Sequence, residues 1–219
     1  MWQTARPAIQ SGEIEIDPLL ARREPDQRRG ITLLAEPSAE VSTRILELLN
    51  AVRGIEPDQH FYSAAELHVT ILSPFTVTEN FAPHESRLSE YLTAVDRAVK
   101  DIPPFEIRFH GITASKAAVL VQGFPQTDTL ETLRTGLREE LTRSGFGHEL
   151  DQRYQLVTAH MTVVRFRTRL SNSSQLANFL EQHRATDFGI TQVKEIRLVK
   201  NDWYMSEAAQ ELLRSYRLD

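Results

Sequence analysis

Two copies of a short motif stand out in the 219-residue chain. One copy reads His68-Val69-Thr70-Ile71-Leu72, and the other reads His160-Met161-Thr162-Val163-Val164. Alternate side chains of an extended strand share a face, so each histidine lies beside its threonine while the apolar residues face the other way. Each strand therefore presents one imidazole and one hydroxyl on a polar face that is backed by apolar residues.

If two such strands faced each other across a cleft, their side chains would suit phosphoryl chemistry. Cleavage of a phosphodiester removes a proton from the nucleophile and supplies one to the leaving oxygen. Two histidines can do both near neutral pH, because histidine titrates close to it. Threonine hydroxyls can donate to the non-bridging oxygens, where negative charge accumulates. We therefore expect His68 and His160 to be catalytic and Thr70 and Thr162 to bind substrate.

Arg165 follows Thr162 by three residues, which puts it on the opposite face of an ideal strand. It can reach a phosphate only if a bulge or the strand end changes the alternation, and otherwise it is a surface arginine. A single His-x-Thr strand usually carries a structural histidine, but two copies at matching places favour function. The remaining histidines have no partner pattern and are interpreted as surface or core residues: His60, His84, His110, His148 and His183.

Hydrophobic periodicity predicts two similar halves, each with the order strand, helix, strand, helix, strand. In the first half it predicts strands over 30–35, 67–72 and 105–112, with helices over about 39–53 and 84–101. In the second it predicts strands over 118–121, 159–166 and 190–199, with helices over about 130–141 and 173–184. The tail, residues 212–218, fits either a last strand or a helix. The simplest account is an α+β chain with an internal duplication.

Residues 1–29 are polar and charged, and we interpret them as an N-terminal extension to a single domain over 30–219. They contain Arg22, Arg23, Arg28 and Arg29. The favoured interpretation is a solvated arm. The alternative is a basic flap over a phosphate site.

Bulk composition narrows the function classes. The hydrophobic fraction is 41% and the charged fraction 25%, as in ordinary globular proteins. Because the net charge is −5, we do not expect the protein to bind long duplex nucleic acid. We expect instead a small substrate that binds in a local basic cleft. The absence of cysteine excludes disulfides, thiolate catalysis and cysteine metal sites. With no apolar run of about 18 residues and no secretory signal, we expect a cytoplasmic protein that does not span a membrane.

The paired motifs resemble those of the 2H phosphoesterase superfamily, which includes RNA 2′,3′-cyclic phosphodiesterases once called 2′-5′ RNA ligases. The resemblance covers roughly residues 30–218. Arg165 matches an arginine often found three residues after the second threonine of that family. The stretch 193–199 looks like the strand that closes the second lobe. The resemblance implies two pseudo-symmetric lobes with antiparallel sheets facing a central cleft and helices outside.

The resemblance also implies a monomeric phosphodiesterase that needs neither cofactor nor metal and acts on a small nucleotide or an RNA terminus. Two alternatives stay open. One is a non-catalytic nucleotide- or RNA-binding module that uses the same cleft. The other is a metal-dependent hydrolase with His68 and His160 as ligands, but no carboxylate shares their face of either motif, and metal sites usually add such ligands.

Overall fold

A computed structural model of the protein describes residues 1–22, 26–150 and 158–219. Six α-helices and nine β-strands occur in these residues. In chain order they are α1 (Trp2–Ser11), β1 (Gly30–Ala35), α2 (Ala39–Ile55), β2 (His60–Phe61), β3 (Val69–Leu72), α3 (Ala82–Glu85), α4 (Leu88–Val99), β4 (Phe105–Ala114), β5 (Ala118–Pro125), α5 (Thr129–Arg143), β6 (Ala159–Arg165), α6 (Ser173–Gln182), β7 (Asp187–Val193), β8 (Glu195–Asn201) and β9 (Glu211–Arg217). Two short 3-10 helices, Gly147–Glu149 and Glu207–Ala209, precede β6 and β9.

The strands form two antiparallel sheets, one for each lobe. The first sheet has the order β3-β1-β8-β9, and the second has the order β2-β6-β5-β4-β7. The expected α+β fold with two antiparallel sheets is confirmed. Each motif strand is next to the first strand of its own half, β3 beside β1 and β6 beside β5.

The two halves of the chain exchange strands. β4 follows the helices of the first half, yet it pairs with β5 in the second sheet. Only residues 115–117 separate β4 from β5, and a connection that short favours an antiparallel hairpin between neighbouring strands. In return, β8 from the second half pairs with β1 in the first sheet.

This exchange corrects the prediction of one strand over 190–199, and also the assignment of 193–199 to the strand that closes the second lobe. The segment belongs to two strands that meet at Lys194. β7 is the edge of the second sheet, and β8 lies inside the first. Alternation of apolar residues continues through both strands, so the pattern hides the change of sheet. The undecided tail is a strand, β9, paired with β8.

Most other elements agree with the periodicity. α2 buries Val41, Ile45, Leu49 and Val52, and the Ser38 hydroxyl accepts a hydrogen bond from the Val41 amide as an N-cap. The single helix predicted over about 84–101 is wrong, because the structure has α3 and α4 there. Arg87, between them, leaves helical geometry with φ −109° and ψ 14°.

The N-terminal extension is not a solvated arm throughout. Residues 2–11 form α1, which packs on α6 and buries Ala5, Ala8 and Ile9. Gly12 ends the helix in the left-handed region at φ 76°, which a glycine adopts without strain. The interpretation as a solvated arm is therefore wrong for α1. Its three buried residues include two alanines, so the hydrophobic pattern is weak in a sequence that is otherwise polar. The division of the chain at residue 30 stays a prediction.

Among the helices described, none is both long enough and apolar enough to cross a membrane.

Replacing Ile9 with alanine tests whether α1 belongs to the folded core. Ile9 is fully buried, and such a truncation removes apolar contacts and leaves a cavity, so we expect a loss of about 2–5 kcal/mol in the free energy of unfolding. Ile16→Ala is the control, because Ile16 is 39% exposed and should be nearly neutral. Urea denaturation measures both. Equal effects of the two changes would show that α1 does not pack as described.

Candidate active site

The two motif strands share the same local irregularity. In β3 the register with β1 passes from Thr70 directly to Leu72, so Ile71 has no partner. In β6 the register with β5 passes from Thr162 directly to Val164, so Val163 has none. Both extra residues are fully buried. A bulge of this kind inserts one residue and changes which face the following side chains occupy.

The bulge at Val163 brings Arg165 to the polar face. Because one residue is inserted, Arg165 lines the same cleft as His160 and Thr162 instead of facing away from them. This placement of Arg165 requires a bulge in β6, and the structure contains it. The bulge at Ile71 does the same for Ser73, which is the counterpart of Arg165 in the first lobe.

A single cleft between the lobes receives all five side chains that the sequence singled out. His68, Thr70, His160, Thr162 and Arg165 line a cavity of about 210 Å³. Side chains that the sequence did not single out complete the lining: Thr32, Tyr62, Leu72, Ser73, Phe75, Thr76, Val77, Glu149, Asn201, Trp203 and Met205.

His68 immediately precedes β3, and its ring is fixed by the backbone. Its Nδ1 lies 2.7 Å from the carbonyl oxygen of Glu66. Since a carbonyl only accepts, Nδ1 carries the hydrogen, and in the neutral ring Nε2 keeps a lone pair. Burial, together with the nearby charge of Arg165, lowers the pKa of His68 from 6.5. His68 is therefore neutral at pH 7 and suited to accept a proton.

His160 is held in a similar way by its own strand. Its Nδ1 lies 2.8 Å from the hydroxyl of Thr158, so Nε2 is again the free ring nitrogen. Burial lowers its pKa from 6.5, and the charges of Arg134 and His68 act in the same direction. Both imidazoles line one cleft, and the charge of His68 contributes to the lowered pKa of His160.

Arg165 is positioned by aromatic side chains. Its Nε donates a hydrogen bond of 2.9 Å to the Tyr62 hydroxyl, and its guanidinium lies 5.4 Å from the centre of the Trp203 ring. Burial raises the pKa of Tyr62, which keeps that hydroxyl neutral beside the cation. The planar guanidinium keeps further N–H groups for an anion, since only one of its donors serves Tyr62.

Arg134, on α5, joins the two motif strands from behind. It is 4% exposed. Its Nε donates to the carbonyl of Ile71 at 2.9 Å, and one terminal nitrogen donates to the carbonyls of Thr70, at 2.9 Å, and Thr158, at 3.0 Å. Two of these acceptors belong to the bulge of the first motif, and the third belongs to the residue that holds His160. One guanidinium thus fixes both strands relative to each other.

Several of these residues carry no local signal in the sequence. Tyr62, Glu149 and Trp203 lie in loops or at element ends and reach the cleft only through tertiary folding. The Glu149 carboxylate accepts a 2.6 Å hydrogen bond from the Tyr91 hydroxyl. Ser73 is an exception, because its spacing from Thr70 equals that of Arg165 from Thr162.

The other histidines and the basic extension play smaller parts. None of the five other histidines lines the described part of the cleft. Of the three arginines that the structure describes here, Arg28 contacts a residue that lines the cleft, with its guanidinium 5.6 Å from the centre of the Trp203 ring and paired to Asp26 at 2.6 Å. Arg29 donates to backbone carbonyls of the extension, Arg22 is exposed, and Arg23 lies outside the described residues. Among Arg22, Arg28 and Arg29, the contact of Arg28 with Trp203 is the observation that fits the flap hypothesis.

Comparison with known proteins agrees with this arrangement. The model of a family described as the 2′-5′ RNA ligase superfamily matches residues 37–203. The chain belongs to the 2′-5′ RNA ligase superfamily. Members of this superfamily are 2H phosphoesterases related to LigT, which supports a function of the phosphodiesterase type. None of the curated protein sequences searched matches the chain.

Solved structures from Thermus thermophilus and E. coli share this fold. The protein TT0787 of Thermus thermophilus is 16% identical with a TM-score of 0.65, covering 86% of this chain and 97% of its own. E. coli LigT complexed with ATP is 14% identical with a TM-score of 0.56, covering 87% and 98%. E. coli LigT complexed with 3′-AMP is 15% identical with a TM-score of 0.54, covering 89% and 99%. At these identities the likeness shows the fold.

Within residues 1–22, 26–150 and 158–219, no group of three or more histidine, aspartate or glutamate side chains is placed to hold a metal ion.

Replacing Arg134 tests its role between the motif strands. Arg134→Leu takes a donor away from three carbonyls, and a buried acceptor left unsatisfied costs about 1–3 kcal/mol. We expect the free energy of unfolding to fall by at least about 2 kcal/mol, with Arg134→Lys intermediate because an ammonium lacks the planar fork. Arg97→Leu is the control, since that side chain is 59% exposed. Urea denaturation should separate the three variants, and a loss for Arg134→Leu no larger than that for Arg97→Leu would contradict the bridge.

Proposed function

We propose that the protein is a phosphodiesterase that hydrolyses a cyclic, 2′-5′ or 3′-5′ phosphodiester of an RNA end or a small nucleotide. His68 and His160 are its acid–base pair, and no metal takes part. One observation carries this proposal. The imidazoles of His68 and His160 line one cleft from equivalent positions of the two lobes, and each has its Nδ1 hydrogen-bonded to the residue two positions before it. The binding of ATP and 3′-AMP by LigT agrees with a small nucleotide as ligand.

The reaction needs one proton acceptor and one proton donor, and His68 and His160 can supply both. Water attacks phosphorus and gives a proton to Nε2 of one histidine, while the bond from phosphorus to the leaving oxygen breaks. The leaving oxygen takes a proton from Nε2 of the other, protonated histidine. The net change is the addition of one water, and proton exchange with solvent restores the starting state. Each histidine contributes a proton transfer of the kind that general acid–base catalysis supplies.

The remaining side chains stabilise the phosphate. Thr70 and Thr162 each place a hydroxyl in the cleft beside a histidine, where it can donate to a non-bridging oxygen. Arg165 supplies the positive charge that an anionic phosphodiester needs, and Tyr62 and Trp203 hold it in place. This local charge reconciles an anionic substrate with a net charge of −5.

Alanine at either histidine should remove nearly all turnover. Losing one general acid or base costs on the order of 10²–10⁴ in rate, and the double variant should be scarcely worse than either single because the two act as a unit. His110→Ala is the control, because His110 is on β4 and does not line the cleft. Hydrolysis of 2′,3′-cyclic nucleotides and bis-p-nitrophenyl phosphate, with and without EDTA, is the measurement.

Three outcomes would contradict the proposal. Turnover at the wild-type rate in His68→Ala or His160→Ala would exclude the acid–base role. Nucleotide binding without turnover in the wild type would favour the binding module. Loss of activity in EDTA, restored by a divalent ion, would favour the metal-dependent hydrolase.

The pH dependence follows from the lowered pKa of both histidines. Catalysis needs one ring protonated and the other neutral. Since the pKa of each ring lies below 6.5 in the free protein, the singly protonated pair is most populated below pH 6.5. We therefore expect a bell-shaped profile of kcat/KM with its maximum below pH 6.5, and a kcat maximum at higher pH, because a bound phosphate anion raises the pKa of both rings. Initial rates from pH 4.5 to 9 test this, and a kcat/KM maximum above pH 7 would contradict it.

A further inference from the structure

One wall of the cleft carries uncharged polar side chains that the proposed chemistry does not use. Thr32 and Asn201 lie on the neighbouring strands β1 and β8, and each is 3% exposed. Ser73, which follows β3, places its hydroxyl oxygen 3.1 Å from that of Thr32. All three line the same cavity as the two histidines. We call Thr32, Ser73 and Asn201 the neutral wall.

The hydrogen bonds of Asn201 leave an acceptor unused. Its Nδ2 donates at 2.7 Å to the carbonyl of Asp202, which fixes the orientation of the amide because a carbonyl cannot donate. Its Oδ1 is buried and has no partner among the described residues. Buried polar groups are nearly always hydrogen-bonded, so this oxygen indicates a ligand donor.

Thr32 and Ser73 leave a donor unused within their pair. Either hydroxyl can donate to the other, and that bond consumes one of their two protons. The second proton remains for another acceptor. The neutral wall thus offers an acceptor at Asn201 and a donor at Thr32 or Ser73, and a hydroxyl is the ligand group that matches both, because it donates and accepts.

The pseudo-symmetry of the cleft shows why this wall is not a second phosphate site. His68, Thr70 and the bulge at Ile71 each have a counterpart in the second lobe, but Ser73 stands where that lobe has Arg165. The charge of a phosphate is matched on the Arg165 side. The opposite side carries two hydroxyls and an amide in place of that cation, and such groups suit an uncharged polar group.

We propose that the neutral wall binds the ribose hydroxyl on the carbon adjacent to the phosphate-bearing carbon, and so selects ribonucleotides over deoxyribonucleotides. That hydroxyl is present in 2′-5′ and 3′-5′ diesters and in the monoester product of a cyclic diester. The inference rests on the proposed function for the position of the phosphate. It adds a specificity determinant that the acid–base pair does not provide.

Binding of two matched products tests the proposal. Adenosine 3′-monophosphate and 2′-deoxyadenosine 3′-monophosphate differ only in the hydroxyl in question. We expect the wild-type protein to bind the ribonucleotide about tenfold more tightly by isothermal titration calorimetry, which corresponds to the gain from about one hydrogen bond.

Two variants assign the preference to the neutral wall. Thr32→Val is nearly isosteric and removes the hydroxyl, and Ser73→Ala removes the other. Each should weaken binding of the ribonucleotide and bring the ratio of the two Kd values close to one. Thr76→Val is the matched control, because Thr76 lines the cavity outside the neutral wall, and it should keep the wild-type ratio. Circular dichroism and thermal unfolding check that each variant is folded.

The outcomes separate this inference from the proposed function. Equal affinities in the wild type, or a preference that survives both Thr32→Val and Ser73→Ala, overturn the neutral wall while leaving the acid–base pair intact. A ribonucleotide preference that these variants abolish supports the neutral wall even if no diester is hydrolysed, in which case only the catalytic proposal fails. Binding of neither nucleotide overturns the neutral wall, whereas the catalytic proposal is decided by the turnover of the histidine variants.

Discussion

The arrangement of the cleft depends on one guanidinium. Arg134 donates to Thr70 and Ile71 in the first lobe and to Thr158 in the second, and a single terminal nitrogen holds the carbonyls of Thr70 and Thr158 within hydrogen-bond distance of one point. A bulge leaves backbone acceptors without ladder partners, and Arg134 satisfies two of them in β3. The same charge contributes to lowering the pKa of His160. Arg134 therefore satisfies the backbone carbonyls of the bulge and also lowers the pKa of the His160 imidazole.

The two bulges make the backbones of the motif strands alike, and they also bring a different side chain into the cleft from each lobe. One extra residue follows each motif threonine, and it turns the third residue after that threonine toward the cleft. This residue is Ser73 in the first lobe and Arg165 in the second. Equivalent backbone geometry thus carries different chemistry. A fully symmetric cleft would bind an asymmetric ligand equally well in two orientations, whereas a cation on one side and hydroxyls on the other make the two orientations unequal.

The sequence predicts those parts of the site that depend on local pattern. His68, Thr70, His160 and Thr162 are recognisable because a repeated His-x-Thr on a period-two strand needs no tertiary information. Arg165 could be placed only conditionally, since a bulge has no reliable local signature. Arg134, Trp203 and Asn201 were not predicted, because their partners are distant in sequence. The exchange of β4 and β8 was missed for the same reason: alternation shows that a strand is half buried, but not which sheet receives it.

That exchange has a consequence for how the chain reaches its native state. The first sheet takes β3 and β1 from one half and β8 and β9 from the other, and the second sheet accepts β2 and β4 in return. Neither half of the chain can complete a sheet with its own strands, so each sheet needs strands from the other half. Pairing β1 with β8 brings together segments from nearly opposite ends of the chain, and such non-local contacts slow folding. The duplicated halves therefore form a single cooperative unit, and cutting the chain between them would yield two fragments with open sheet edges rather than two small domains.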